Sequence, residues 1–537
     1  MTPPRSLHEL VVGPGHEPAR RALAPFYRLR RTAALSRIPP PVAERYGLAG
    51  QEQHVITVTD RLLFRQTCWN PQRDQKPQNF GPAAPSVAGH RTLDPLLSAL
   101  GCDFCRPLER TAEDTFGRVS VRGLAVSASN LFKCAAPYHG VIVLTRSHDP
   151  LAFGRRDVAA LLDCAEGWFR EADAAADGDG DGDGADGDGD GNGNGDGAPP
   201  RLHPFLLWNA LPRAGASQYH GHAQVALTED PVPEQGALWR AERAFAGGGG
   251  GGGDERGDGG GDGDGSTSRR RRCYYSSLLR AMGAAGLLRV LKTGGGGHEG
   301  DAAAAAADAA VAPPRSSVAY VYASLAPVKD AELVVVVAPS GPAAAAAAEG
   351  GGGGLDALRS PALGRALHAA LRAVVDGVGG GGGAFNAGVH NLEVRAGGWS
   401  RAREGGERDR GGDDDDDEAP PPWQGGGSCG GDDDPPSLFP GGRPVVARVV
   451  SRGPPSAVAS DFGALEVMGG ASIGRTDPYD LMALFDAALE AADGEEAAAA
   501  AQARVAGTAE TAVGAATAAA AAAEADEEGG RETFALP

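Results

Sequence analysis

A disulfide spacing is missing from this chain. Its seven cysteines, at 68, 102, 105, 134, 164, 273 and 429, are odd in number and irregularly placed, which argues against a secreted disulfide framework. Long apolar runs are missing too. None approaches the ~18 residues of a membrane span, so no membrane partner is expected. There is no surplus of basic residues: Lys and Arg number 50 against 70 Asp and Glu, a net charge of −20. Much of that acidity sits in three short runs, 173–196, 413–418 and 432–434, and the remainder is nearly neutral. A basic nucleic-acid face is therefore not indicated, and Arg269–Arg272 reads as a solvated edge. The Asp-Gly run after 173 lacks the glycine at the sixth position and the glutamate at the twelfth that a helix-loop-helix calcium site requires. Carboxylates are scarce in the first 40 residues, where Glu9 and Glu17 stand alone. An organelle transit peptide and a loosely ordered N-terminal arm over 1–50 both fit that composition. Otherwise the chain is expected in the cytoplasm.

Apolar surface is also lacking in several long stretches. Residues 173–199 and 246–272 are Asp/Gly-rich, 293–315 and 341–354 Gly/Ala-rich, 376–384 mostly Gly, and 400–442 acidic with Pro and Gly. Such compositions do not offset the entropy of ordering and read as disordered insertions or linkers. The Ala/Glu-rich tail, 491–537, has some helical propensity. What remains is enough for two domains with real cores, one at 51–245 and one at 273–490. His54–Cys68, Arg118–Ser127 and Gly140–Thr145 read as strands, Asp157–Arg170 as an amphipathic helix, and Phe205–Trp208 as a further strand. The second half repeats that order: strands at Val318–Ser324 and Glu332–Ala338, a helix at Pro361–Val375, strands at Ala384–His390 and Pro444–Val450. The fold class expected is α+β, two tandem units of antiparallel sheet with flanking helices, interrupted at their loops.

The chemistry concentrates in Gly215-Ala-Ser-Gln-Tyr-His-Gly-His-Ala-Gln-Val225. A strand over Tyr219–Leu227 would send His220, His222 and Gln224 to one face, since side chains alternate. The small polar lead-in, with Gly215, Ser217 and Gln218, offers donors where phosphate charge builds up. An unprotonated imidazole near neutral pH is a ready nucleophile. A second signal is Cys102-Asp-Phe-Cys105, a metal knuckle or a redox pair by its spacing, without the strand-helix context of the latter.

The first segment resembles the active-site motif of the histidine-triad superfamily in its His-x-His-x-Gln form. That form marks the branch with galactose-1-phosphate uridylyltransferase, ADP-glucose phosphorylase and diadenosine tetraphosphate phosphorylase. Tyr219 and Gly221 stand where the hexose uridylyltransferases usually carry proline. The resemblance implies tandem histidine-triad-like units, of which only the first is catalytic: Val445–Val450 stands where the second half would carry its histidines. Phe385-Asn-Ala-Gly-Val-His390 and the segment Asp461–Asp480 are similar to parts of that second unit. The activity implied is nucleotidyl transfer or phosphorolysis through a covalent nucleotidyl-histidine on His222. The substrate would be a nucleotide sugar or a dinucleotide, the acceptor phosphate or a sugar 1-phosphate. Gln224, a neutral donor, suits a transferase; a hydrolase and a non-catalytic nucleotide-binding scaffold are the alternatives. Asn209, Arg73 (in Asn70-Pro-Gln-Arg-Asp74) and Lys133 are implied nucleotide or phosphate contacts. For Cys102 and Cys105 the resemblance supplies His148 and His220 as partners in a structural Zn²⁺ site, with His139 as the rival third ligand or part of the pocket entrance. A homodimer is implied by resemblance alone.

Overall fold

The computed structural model describes residues 2–34, 39–45, 53–70, 99–178, 202–247, 273–293, 317–338, 354–378, 380–392, 438–439, 443–455, 462–499 and 502. Arg73, most of the low-complexity stretches and the tail beyond 502 lie outside them. The architecture is α+β, antiparallel sheets with flanking helices. Fourteen strands are described: β1 Tyr27–Ala34, β2 Gln53–Asp60, β3 Gln66–Trp69, β4 Ser120–Val121, β5 Ala125–Ser129, β6 Pro137–Leu144, β7 His203–Ala210, β8 His222–Thr228, β9 Leu288–Thr293, β10 Ser317–Ala323, β11 Glu332–Val337, β12 Ala384–His390, β13 Val445–Gly453 and β14 Ala471–Gly474. Ten of them form one sheet in the order β4-β5-β6-β8-β7-β12-β13-β11-β10-β9, and the other four form β1-β2-β3-β14.

The order of the large sheet is a mirrored repeat. Strands of the first half run outward from β7, those of the second outward from β12. The two halves meet in a single antiparallel pair in which Asn209 faces Asn386. That pair lies on a local two-fold axis, so Trp208 corresponds to Phe385. Trp208 pairs with Ala223 and Phe385 with Ser451. Counting back along β8 and β13, Val450 holds the place of His222 and Arg448 that of His220.

Each half packs one long helix on the same side of the sheet. Helix Arg155–Gly178 buries Val158, Leu161, Leu162, Ala165, Trp168 and Phe169 against β5, β6 and β8, a stripe at helical spacing. Helix Pro361–Arg372, capped by the Ser360 hydroxyl on the Leu363 N–H at 3.3 Å, packs on β9–β11 and β13. β11, Glu-Leu-Val-Val-Val-Val, is buried at every residue. Its other face is covered by the small sheet: the Thr67 hydroxyl donates to Pro327 O at 3.2 Å, and Ser472 donates to the same carbonyl at 2.6 Å.

Several expectations need correction. His54–Cys68 is two strands, because the Asp60 carboxylate accepts from the Leu62 and Leu63 N–H groups (2.9 and 2.8 Å) and Phe64 adopts φ 56°, which turns the chain. The N-terminal residues are no loose arm. Helices Leu7–Val12 and Glu17–Leu23 lead into β1, which pairs with β2 along its whole length, and the Leu7 N–H donates to Asp477 at 2.9 Å. The stretch 376–384, expected as an insertion, begins inside a wide helical turn, Ala373–Val378, and its glycines at 380–383 turn the chain into β12. Helix continues past 173 to Gly178 and through 478–499. In the latter, Asp493 accepts from Arg155 of the first half (2.5 Å) and Arg365 of the second (3.1 Å).

Candidate active site and metal centre

The first half's helix-free face carries the site. Cys102 and Cys105 flank a single helical turn ahead of the sheet, His148 follows β6, and His220 immediately precedes β8. The strand begins at His222, so His220 belongs to the turn and not to the strand as expected. Its Nδ1 lies 3.3 Å from His148 Nδ1, 3.6 Å from Cys102 Sγ and 3.5 Å from Cys105 Sγ, and Cys105 Sγ lies 3.3 Å from His148 Nδ1. All four ligand atoms fall within 4.8 Å of one another. A tetrahedral ion with bonds of about 2.3 Å to sulfur and 2.0–2.1 Å to nitrogen gives donor–donor edges of about 3.3–3.8 Å, so the measured edges suit a metal ion. His220 Nε2 donates to Leu144 O at 2.6 Å, which fixes the tautomer and turns the Nδ1 lone pair to the cluster. His139, the rival ligand, is not in it.

His222 sits one strand repeat further, only 6 % exposed. Its Nδ1 lies 2.8 Å from His220 O. A carbonyl can only accept, so Nδ1 carries the hydrogen and Nε2 keeps its lone pair. Burial pushes the basicity of His222 down, which keeps the ring neutral. Phe104, between the two cysteines, stands edge-on to both His222 (5.1 Å between centroids) and His220 (6.1 Å). The cluster and the nucleophile candidate are thus held in one packed unit.

Gln224 is on the same face. Its Oε1 meets His139 Nε2 at 2.9 Å, and its amide nitrogen has no hydrogen-bond partner among the described residues. The expectation placed His139 at a pocket entrance; it is instead 1 % exposed. Asn209, at the end of β7, gives its Oδ1 to Asn386 Nδ2 at 2.7 Å. Asn386 also donates to Ala214 O (2.7 Å) and accepts from Arg452 Nη1 (2.7 Å). Because Ala214 O only accepts and Arg452 only donates, Asn386 has one orientation, and that leaves the Asn209 amide N–H groups facing away from it. Arg213 donates to Arg452 O and ties the same loop across the seam. The loop turns at Leu211 (φ 72°) and Gly215 (φ 89°), the latter a conformation glycine adopts freely. Ser217 and Gln218 are exposed on it. Lys133, also exposed, bonds Ser129 Oγ (2.9 Å) and His139 O (3.1 Å).

The structure therefore gathers Cys102, Cys105, His148 and His220 in one cluster and His222 and Gln224 beside it. It places Asn209 and the 215–218 loop at the inter-half seam, and Lys133 at the far end of Gln224. Asn386 lies in the Phe385–His390 segment that the resemblance marked; its pairing with Asn209, and the part played by Arg452, come from register across the two-fold axis, which no local motif carries.

No family model matches this chain, and no curated protein does. Among solved structures it is similar to an ADP-glucose phosphorylase from Arabidopsis thaliana with bound ADP-glucose (12 % identity, TM-score 0.44, covering 80 % of this chain and 97 % of that one). It is similar also to a GalT-like protein from the same plant (11 %, TM-score 0.39, 72 % and 91 %) and to a uridylyltransferase (11 %, TM-score 0.38, 68 % and 85 %).

Proposed function

We propose that this chain is a nucleotidyltransferase or phosphorylase that moves a nucleoside monophosphate through a covalent intermediate on His222. The observation that carries the reading is a buried, neutral imidazole whose Nε2 lone pair is fixed by the His220 carbonyl and lies beside a Cys2His2 cluster. In the first step the Nε2 lone pair forms a bond to the α-phosphorus of a nucleotide sugar or dinucleoside polyphosphate. The bond from that phosphorus to the bridging oxygen breaks, and its electron pair leaves on the departing phosphate. In the second step an oxygen of inorganic phosphate or a sugar 1-phosphate attacks the same phosphorus, and the P–N electrons return to Nε2. Amide donors on Gln224 and Asn209, and the Gly215, Ser217 and Gln218 loop, are assigned to the phosphate oxygens, where donors lower the barrier most. Lys133 and Arg73 are assigned to outlying phosphate or ribose.

We assign the cluster to Zn²⁺ on its donor set: two thiolates and two imidazoles in tetrahedral spacing, with no position left for water or substrate. Bound there, zinc would be structural and would lock the His220 segment, and hence His222, to the Cys102–Cys105 turn. Among the described residues no helix is long and apolar enough to cross a membrane.

The test is intact-protein mass spectrometry after incubation with ADP-glucose, UDP-glucose, a GDP-sugar or diadenosine tetraphosphate, each without acceptor. An acid-labile nucleotidyl mass on the wild type, absent from His222→Asn, is the expected result. Release of that adduct into added phosphate or hexose phosphate, faster than into water, marks a transferase. No adduct with any donor on folded, zinc-loaded protein would sink the covalent reading.

A further inference from the structure

His139 lies on β6, opposite Ala226 of β8 and therefore diagonal to Gln224 on the shared face. Two contacts determine its tautomer. The Cys134 N–H points at Nδ1 at 3.1 Å. A backbone N–H can only donate, so Nδ1 is an acceptor and the ring hydrogen is on Nε2. That hydrogen meets Gln224 Oε1 at 2.9 Å; the Asn130 amide nitrogen, 3.3 Å from Nε2 and itself a donor because its Oδ1 accepts from the Phe132 N–H, is the more distant neighbour of that nitrogen. An amide whose oxygen is engaged from behind presents its nitrogen on the opposite side. The carboxamide of Gln224 is free to flip in principle, and one flip would aim an oxygen, not a donor, at a reacting phosphate.

We infer that His139 is a positioning residue that holds Gln224 with its amide N–H groups toward the phosphate bound at His222. The inference rests on the covalent-transfer reading for its effect on rate, and on the hydrogen-bond chain for the orientation itself. The ring is buried, and its backbone carbonyl accepts from the Lys133 ammonium. Burial first, and that cation less strongly, hold its basicity down, while the Gln224 bond opposes them. The net lowering favours the neutral ring, and the two contacts place its hydrogen on Nε2. Asp114 is the acidic group that also faces the ring. Cys134, whose backbone supplies the orienting donor, is on the exposed loop that leads into β6, so the chain of contacts runs from surface backbone to active-site amide.

Two variants separate positioning from packing. His139→Leu removes the donor. His139→Gln keeps an amide N–H at the place of Nε2. The expected result is a kcat at least tenfold lower for His139→Leu with KM within about threefold, and a kcat within about threefold of wild type for His139→Gln; tenfold corresponds to about 1.4 kcal/mol. In a Gln224→Ala background, His139→Leu should cost nothing further, since the two act through one amide. Equal losses for both His139 variants, or a full His139→Leu loss persisting in Gln224→Ala, would overturn the inference. A second readout does not depend on activity. In protein with ¹⁵N-labelled histidine, the ring signal lost on His139→Gln should be that of an Nε2-protonated tautomer and should shift in Gln224→Ala. An Nδ1-protonated signal overturns the orientation. Wild-type protein silent with every donor, but with the Nε2-protonated signal, would overturn the transfer reading while leaving the Gln224 orientation standing.

Discussion

His220 and His222, two residues apart, present opposite nitrogens because different carbonyls hold them: Leu144 O takes His220 Nε2–H, and His220 O takes His222 Nδ1–H. One ring is thereby turned to the cysteines by Nδ1, the other to the site by Nε2. The residue types were legible in the sequence, since His-x-His-x-Gln and Cys-x-x-Cys are local patterns. The nitrogens were not, because each depends on a carbonyl that only the folded register brings near. The same holds for Asn386: the Phe385–His390 pattern marks the residue, but that it fixes Asn209 from the other half depends on register. Asn386→Leu keeps the volume and removes all three hydrogen bonds, leaving Ala214 O and the Arg452 guanidinium without that partner. Loss of buried polar partners costs about 1–3 kcal/mol each, so a drop in kcat/KM of at least tenfold is expected in steady-state assays, with a smaller loss in thermal stability. Unchanged kinetics would remove the second half from the chemistry. His390 carries a different kind of prediction. Burial, then Arg448 and Arg65, push its pKa down to about 3, whereas in an unfolded chain it titrates near 6.5. Between those values the unfolded chain holds a proton that the folded one refuses, so stability falls as pH falls from about 6.5 toward 3. His368, held at about 4 mainly by burial, adds a loss of the same sign. Urea midpoints measured at pH 7 and 4.5 should differ less in His390→Leu than in wild type; an identical difference would show that His390 does not set the slope.

Among the elements, segments with a clear pattern matched it, short strands such as Glu332–Ala338 and Ala384–His390 included, and segments without one did not. Helix Arg155–Gly178 and the Leu-Val-Val-Val-Val run of β11 were visible as a 3.6-residue stripe and a buried run. β1 was not: Tyr-Arg-Leu-Arg-Arg-Thr-Ala-Ala is polar because it is an edge strand of the small sheet, and edges tolerate charge. The turn inside 54–68 was hidden because Asp60 ends one strand by capping two N–H groups, an event that alternation does not record. The contact between helix Arg155–Gly178 and β6 is tight at one point. A Cβ on Gly140 would lie 2.8 Å from the Trp168 indole, and that indole is pinned by its N–H to Asp114 at 2.8 Å. Gly140→Ala should therefore destabilise the first half by about 1–3 kcal/mol, the usual cost of overpacking, read as a lower denaturant midpoint. A wild-type midpoint would mean that the helix shifts at little cost.

Across the whole molecule, the tandem layout was legible as a repeated order of strands and helix, but the joining of both halves into one sheet was not. That joining is a β7–β12 pairing between segments far apart in sequence. The Cys102, Cys105, His148 and His220 cluster links the turn at 102–105 to the ends of β6 and β8, so loss of an ion held there should act on stability as well as on the proposed transfer. A chelator applied to the folded chain is expected to lower Tm by several degrees, with Zn²⁺ restoring it, since a ligand that binds only the folded state stabilises it. The same shift should be absent in Cys102→Ser/Cys105→Ser. A Tm indifferent to chelator in metal-containing protein would leave the four residues as a thiol–imidazole cluster without a structural ion.

The two-fold relation between the halves also shows what the second half carries at the positions of the histidine pair. By register Arg448 stands at the place of His220 and Val450 at that of His222. Instead of meeting substrate, Arg448 is buried in ion pairs with Glu332 and Glu234, roofed by Tyr27, Asp60 and Tyr322. A pair of equal halves would present two reactive faces to solvent. Here the second half places a buried cation at that register position, and its ion pairs tie β11 and β13 to the helix Pro233–Gly247 beneath Tyr27 and Asp60, so the chain's own beginning rests on the half that carries no histidine pair.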